Sequence, residues 1–148
     1  MRVFEYGGGG STLFFLARGC EVTTVEGSMD WVIAIRNAAR PYEARLTLRF
    51  LDTRIDTPEA RRPYADAALE GGPWDVILID GAFRRDCTLV AQSCVVPAGA
   101  IIVDNTDLPE YADVHADAVL SGFERRVYRG LGFARMLPTT TEVFLAPR

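Results

Sequence analysis

The chain has 148 residues, 49% of them hydrophobic and 24% charged, with a formal net charge of −4, the composition of one globular domain spanning residues 1–148. All 16 basic residues are arginine and the only histidine is His115, which excludes Schiff-base lysine chemistry, a Walker-type phosphate lysine and a two-histidine zinc site. The acidic balance, with a pI near 5.0, also argues against nucleic acid as a partner, because non-specific binding rests on excess positive charge.

The predicted elements alternate between strand and helix. Arg2 to Tyr6 reads as a strand, followed by a glycine loop and an apolar helix from Ser11 to Arg18 that Gly19 stops. Val3-Phe4 begins the strand at once, so no signal peptide is expected. Glu21 to Val25 is a β-branched run and a second strand. Ser28 is an N-cap for a helix to Arg40, ended by Pro41, with an inward face of Met29, Trp31, Val32, Ile35 and Ala39.

Arg45 to Leu51 alternates polar and apolar residues as a half-buried strand does. Thr57-Pro58-Glu59 reads as a cap, a first-turn proline and a helix start, and Pro63 breaks or kinks that helix. Trp74 to Asp80 is the near-continuous apolar run of a strand buried on both faces. A helix from Arg85 to Val96 is closed by Pro97, Ala100 to Asp104 is another buried strand, and Pro109 to Leu120 another helix. Phe123 to Tyr128 and Thr141 to Leu145 then form two strands with no helix between them.

Five β-α units and a terminal hairpin imply an α/β fold with a doubly wound, mostly parallel sheet, helices on both faces and a C-terminal antiparallel β-hairpin. Cys20, Cys87 and Cys94 contain no C-x-x-C pair, so neither a disulfide framework nor a structural zinc is expected, and a reducing cytoplasm fits best. Cys87 and Cys94, two helical turns apart, read as small apolar residues near one helix face. No apolar run approaches the roughly 20 residues that span a bilayer, so no membrane partner is expected.

In such a sheet, ligands sit at the carboxyl ends of the strands where strand order reverses. The first strand ends Glu5-Tyr6-Gly7-Gly8-Gly9-Gly10-Ser11-Thr12, and four glycines between strand and helix let a ligand approach the main chain. Glu26 ends the second strand at the distance from Gly7 where a carboxylate accepts both hydroxyls of a ribose; its simpler role is to cap the next helix. Two nucleoside ligands compete for this geometry. The dinucleotide fingerprint wants glycine or alanine where Thr12 or Leu13 stands. Glu5 beside the loop disfavours a pyrophosphate and suits an amino group and a sulfonium.

These residues resemble the class I S-adenosylmethionine-dependent methyltransferases along essentially the whole chain. Glu5-Tyr6-Gly7-Gly8-Gly9 matches that family's E-x-G-x-G first motif, with Ser11-Thr12 opening the helix, and Glu26 matches its ribose-holding acid. Trp74-Asp75-Val76-Ile77-Leu78-Ile79-Asp80-Gly81 resembles the fourth-strand motif that faces the methyl group, and Ala98 to Asp104 the fifth-strand motif. The resemblance implies a seven-stranded sheet and S-adenosyl-L-methionine as cofactor, held by Glu5, Gly7, Gly9, Ser11, Glu26 and Asp52. Asp52 falls where the family often contacts the adenine amino group, with Asp56 a weaker rival.

Asp80 is the candidate catalytic residue, as base or as orienter of the acceptor; a turn cap or a contact to the cofactor's amino group is the competing role. Asp80 with Asp104-Asn105 resembles the ligand set of catechol-type, magnesium-dependent relatives. Those relatives also use a lysine that this chain lacks, and no metal is assigned. Arg84 and Arg85 can fork onto an anionic acceptor or begin a solvated helix. His115 reads as a packed structural histidine, and Arg125, Arg126 and Arg129 as a solvated strand face. Many members of the resembled family carry helices before the first strand; with the first strand at Arg2, the expectation is that this cover is missing or is supplied by a partner in a homodimer. The expected function is methyl transfer to a small-molecule acceptor. An NAD-dependent oxidoreductase domain and a non-catalytic cofactor-binding protein are the alternatives.

Overall fold

The computed structural model describes residues 1–111, 120–131 and 138–148. In chain order it contains β1 (Arg2–Tyr6), α1 (Gly10–Ala17), β2 (Glu21–Glu26), α2 (Met29–Ala38), β3 (Leu46–Phe50), α3 (Pro58–Ala65), β4 (Trp74–Ile79), α4 (Arg84–Cys94), β5 (Val95–Val103), β6 (Glu124–Leu131) and β7 (Pro138–Leu145). The strands form one seven-stranded sheet in the order β3-β2-β1-β4-β5-β7-β6. β1 runs parallel to both β2 and β4. β3 and β5 extend these pairs in parallel, and β7 and β6 add two antiparallel pairings at one edge. The chain steps outward from β1 to β3 and then returns to the other side of β1, so strand order reverses between β1 and β4. A ligand crevice belongs at the carboxyl ends of those two strands.

Side chains of a strand alternate between its faces, and β1 shows what each face meets. Phe4 and Tyr6 join Ile77, Ile79, Ile101 and Val103 in a core with Tyr64 of α3 and Cys87 and Ala91 of α4. Val3 points the other way, into a cluster with Val22, Leu16 of α1 and Ala39. An aromatic column climbs the first core towards the crevice. Ring centroids are 5.2 Å apart for Phe4–Trp74, 4.8 Å for Phe4–Tyr6, 5.6 Å for Tyr6–Tyr64 and 5.9 Å for Tyr64–Phe83. Edge-on and tilted pairs at these separations add to the area they bury.

Several predicted boundaries shift, each for a local reason. α2 stops at Ala38 and a 3-10 turn covers Arg40–Arg45, with Pro41 in its first turn. Of the predicted inward face, Val32, Ile35 and Ala39 are buried while Met29 and Trp31 are exposed. Pro63 lies inside α3 as its sixth residue, and the helix ends two residues later at Ala65, as expected of a proline that removes an interior hydrogen bond. α4 passes directly into β5 at Val95, so Pro97 belongs to the strand and does not separate the two. Of the predicted helix from Pro109, a 3-10 turn at Pro109–Tyr111 is described; the rest, with His115, lies outside the described residues. All three cysteines are buried and unpaired. On β6, Arg125 is not simply solvated: it forks onto the buried carboxylate of Glu142 at 2.6 and 2.7 Å. No helix among the described residues is long and apolar enough to cross a membrane.

Candidate functional site

The glycine loop exists because β1 and β4 end almost in contact. Gly7 has φ +83°, and a Cβ there would lie 2.8 Å from the Gly81 main chain. Only glycine combines that left-handed backbone with that approach. The loop then hands the chain to α1, whose N-cap is Gly9. Thr12 closes the turn: its Oγ1 accepts from the Gly9 N–H at 3.0 Å and donates to Glu5 Oε2 at 2.6 Å.

Glu5 is fully buried. Its Oε2 also accepts from Thr24 Oγ1 at 2.8 Å, while Oε1 has no hydrogen-bond partner among the described residues. Burial pushes the carboxyl above its usual range, the hydroxyl hydrogen bonds oppose that shift, and the Asp80 charge adds to it. Glu5 therefore lies beneath the loop and ties α1 to β2, and it is absent from the cleft wall. Ser11 likewise sits within the first turn of α1 and does not line the cleft.

Glu26 ends β2 and is 9% exposed. Its Oε2 accepts from the Gly8 N–H at 3.0 Å and its Oε1 from the Ser28 N–H at 2.8 Å. The carboxylate thus caps the next turn and braces the glycine loop at once. Each oxygen keeps a lone pair for a ligand hydroxyl. The cleft in front of it encloses about 460 Å³ and is lined by the glycines at 7–10, Glu26, Trp31, Thr53, Tyr64 and Asp80. That is the size of an ordinary small-molecule site. A larger depression of about 690 Å³ lies over β6 and β7. The strand-end carboxylates Glu26 and Asp80 face the smaller cleft, which is where the chemistry gathers.

Asp80 follows β4, and its side chain is 45% exposed. Partial burial raises its pKa; Arg84 opposes the rise and Asp104 reinforces it. Arg84 is 7% exposed and all five of its N–H donors are engaged. Nε donates to Gly81 O at 3.0 Å, and Nη2 to Asp80 O and Oδ1 at 3.2 and 3.1 Å. Nη1 donates to Asn105 Oδ1 at 3.2 Å and to Asp104 O. The ring of Tyr111 stacks 4.4 Å from the guanidinium. This overturns the reading of Arg84 as an acceptor-binding fork: it holds the ends of β4 and β5 together. Arg85 is exposed on the first turn of α4.

The same guanidinium decides the metal question. Asp80 Oδ1 and Asn105 Oδ1 are both held by Arg84, and Asp104 Oδ1 accepts from Thr141. One oxygen of each of the three side chains that a divalent cation would need is already held, and the fixed positive charge of Arg84 sits between two of them and opposes a cation there. They do not fit such an ion. Among the described residues no group of three His, Cys, Asp or Glu is placed to hold one.

Asp52, after β3, does not line the cleft. Arg54 Nε donates to both of its carboxylate oxygens at 2.9 and 3.0 Å, holding its pKa at about 2. Asp56 is exposed and paired with Arg61. The cleft wall here is Thr53. Trp31, Thr53 and Tyr64 were not legible as site residues: hydrophobicity marks Trp31 as apolar without saying which way the ring faces. The one available signal for Thr53 is its place beside a strand-end acid.

No family model matches the chain, and no curated protein matches it. Solved structures do. Cofactor-bound Rv0187 from MTB superposes with a TM-score of 0.71 at 19% identity, over 98% of this chain and 72% of that one. An O-methyltransferase from Bacillus cereus in complex with SAH gives 0.69 at 17%, over 97% and 73%. A methyltransferase from Pyrococcus furiosus gives 0.60 at 14%, over 99% and 75%. At these identities the likeness is one of fold, and the fold is that of the class I methyltransferases.

Proposed function

We propose that the chain is an S-adenosylmethionine-dependent methyltransferase with a small-molecule acceptor, built on a doubly wound sheet. One observation carries the choice of ligand. Glu26 and Asp80 line the cleft with Glu5 buried behind it, and no arginine lines it among the described residues. A pyrophosphate would meet carboxylates on its way to the loop, whereas a ligand bearing a sulfonium and an ammonium meets complementary charge. That favours this cofactor over NAD. When bound, it supplies a methyl group on a positively charged sulfur, already activated towards displacement.

The protein's part is placement. Glu26 holds ribose hydroxyls, the open glycines at 9 and 10 admit the ligand against the main chain, and Asp80 faces the reactive end. Holding two reactants in line is worth up to roughly 7–11 kcal/mol in well-oriented systems. Asp80 either receives the acceptor's proton or orients its nucleophile, and its partial burial, which raises its pKa, makes it a stronger base than a solvated aspartate. With a formal net charge of −4, the chain is better matched to a small acceptor than to nucleic acid. Thermal unfolding with S-adenosylmethionine, S-adenosylhomocysteine and NAD tests the reading. The first two should raise the midpoint, and stabilisation by NAD alone would contradict it.

A further inference from the structure

The far end of the cleft departs from what the glycine loop and Glu26 lead one to expect. Thr53 follows β3, which lies on the opposite side of β2 from β1 and β4. A nucleoside with its ribose on Glu26 and its reactive end towards Asp80 therefore directs its base to Thr53 and Trp31. The acid that might read an exocyclic amino group there, Asp52, is turned onto Arg54 and lies outside the cleft wall. Thr53 stands in its place, so close to Gly27 that a Cβ on that glycine would come within 2.3 Å of its Oγ1. Trp31 offers an indole that is 57% exposed and lines the cleft.

Two pieces of chemistry govern such a base end. A carboxylate only accepts hydrogen bonds and so selects a 6-amino purine, whereas a hydroxyl both donates and accepts and tolerates amino or oxo. Stacking on an aromatic ring tolerates any base, because every base has a π-face. We propose, resting on the methyltransferase reading, that Trp31 is the principal binding residue of the base end, holding a purine by stacking, and that with Thr53 in place of Asp52 this end discriminates weakly between 6-amino and 6-oxo forms.

The test is fluorescence titration of the wild-type chain, W31A, W31F and D52N with S-adenosylhomocysteine and S-inosylhomocysteine. Trp74 is 3% exposed with its Nε1–H on Ala68 O at 2.7 Å, so red-shifted emission reports Trp31, and calorimetry covers the variants that lack it. Wild type should bind the two ligands within about threefold of each other, less than one good discriminating hydrogen bond provides. W31A should weaken both by about tenfold or more. W31F should keep most of the affinity, and D52N should change neither. A preference for the adenosyl ligand above about thirtyfold that D52N abolishes would overturn the inference. So would W31A binding both ligands as wild type does while E26A weakens them, and in that case the methyltransferase reading stands. If wild type binds neither ligand, both readings fall.

Discussion

Arg84, the first residue of α4, donates from Nη2 to Asp80 Oδ1 at 3.1 Å, and so holds the group facing the reactive end of the cleft from below. The same side chain fastens Asn105, which has φ +51°, and comes directly after Phe83, at φ +52°. Asn adopts the left-handed backbone readily, whereas Phe83 must be held there by its surroundings. Arg84 fixes the Asn105 side chain and the carbonyls at both strand ends.

Arg84→Ala should therefore destabilise the fold by about 2–4 kcal/mol, since it strands several buried acceptors. Arg84→Lys should recover only part, because an ammonium lacks the planar five-donor fork. Urea unfolding of the three proteins measures this. Equal midpoints would show that the carbonyls find other partners.

The glycine loop separates folding from binding. Gly7→Ala should cost at least about 2 kcal/mol through its left-handed backbone and its contact with Gly81. Gly10→Ala has no neighbour within 4 Å and begins a helix, so its stability should stay within about 0.5 kcal/mol of wild type. It should still weaken ligand binding, because the added methyl projects into the cleft. Thermal unfolding with and without S-adenosylhomocysteine distinguishes the two variants.

Glu5 predicts a pH dependence with a definite sign. Its folded pKa lies above the ordinary 4.5, so folding favours the protonated form. The contribution is fully present below that value and is lost as pH rises through the folded pKa. Against Glu5→Gln, wild type should lose stability across this window, and the difference should level off above it. Urea midpoints of both proteins from pH 4 to pH 8 show the trend; parallel curves would mean that folding leaves the pKa of Glu5 unchanged.

How much of this was legible in the sequence depends on what each feature requires. β4 was readable because a strand buried on both faces is apolar nearly throughout, as Trp74 to Ile79 is, and β2 because its run is β-branched. The glycine loop and Glu26 were readable because the backbone geometry admits few other residues. The orientation of Trp31 was not, since periodicity weights an indole the same whether it faces core or cleft. Nor was the role of Arg84: a charge near a strand end looks the same whether its partner is a ligand or five groups of the protein. The exchange of Asp52 for Thr53 turns on one residue of phase at the end of β3, finer than alternation resolves. Arg54, two residues along, is what draws Asp52 away.

The central claim is that Glu26 holds the sugar of an S-adenosylmethionine-type ligand. Calorimetric titration of S-adenosylhomocysteine into wild type and Glu26→Ala, with folding of the variant verified by its unfolding transition, tests it most directly. Wild type should bind, and the variant should lose about 1–3 kcal/mol of affinity. Equal affinity in the two proteins, or binding of NAD and not of S-adenosylhomocysteine by wild type, would contradict it.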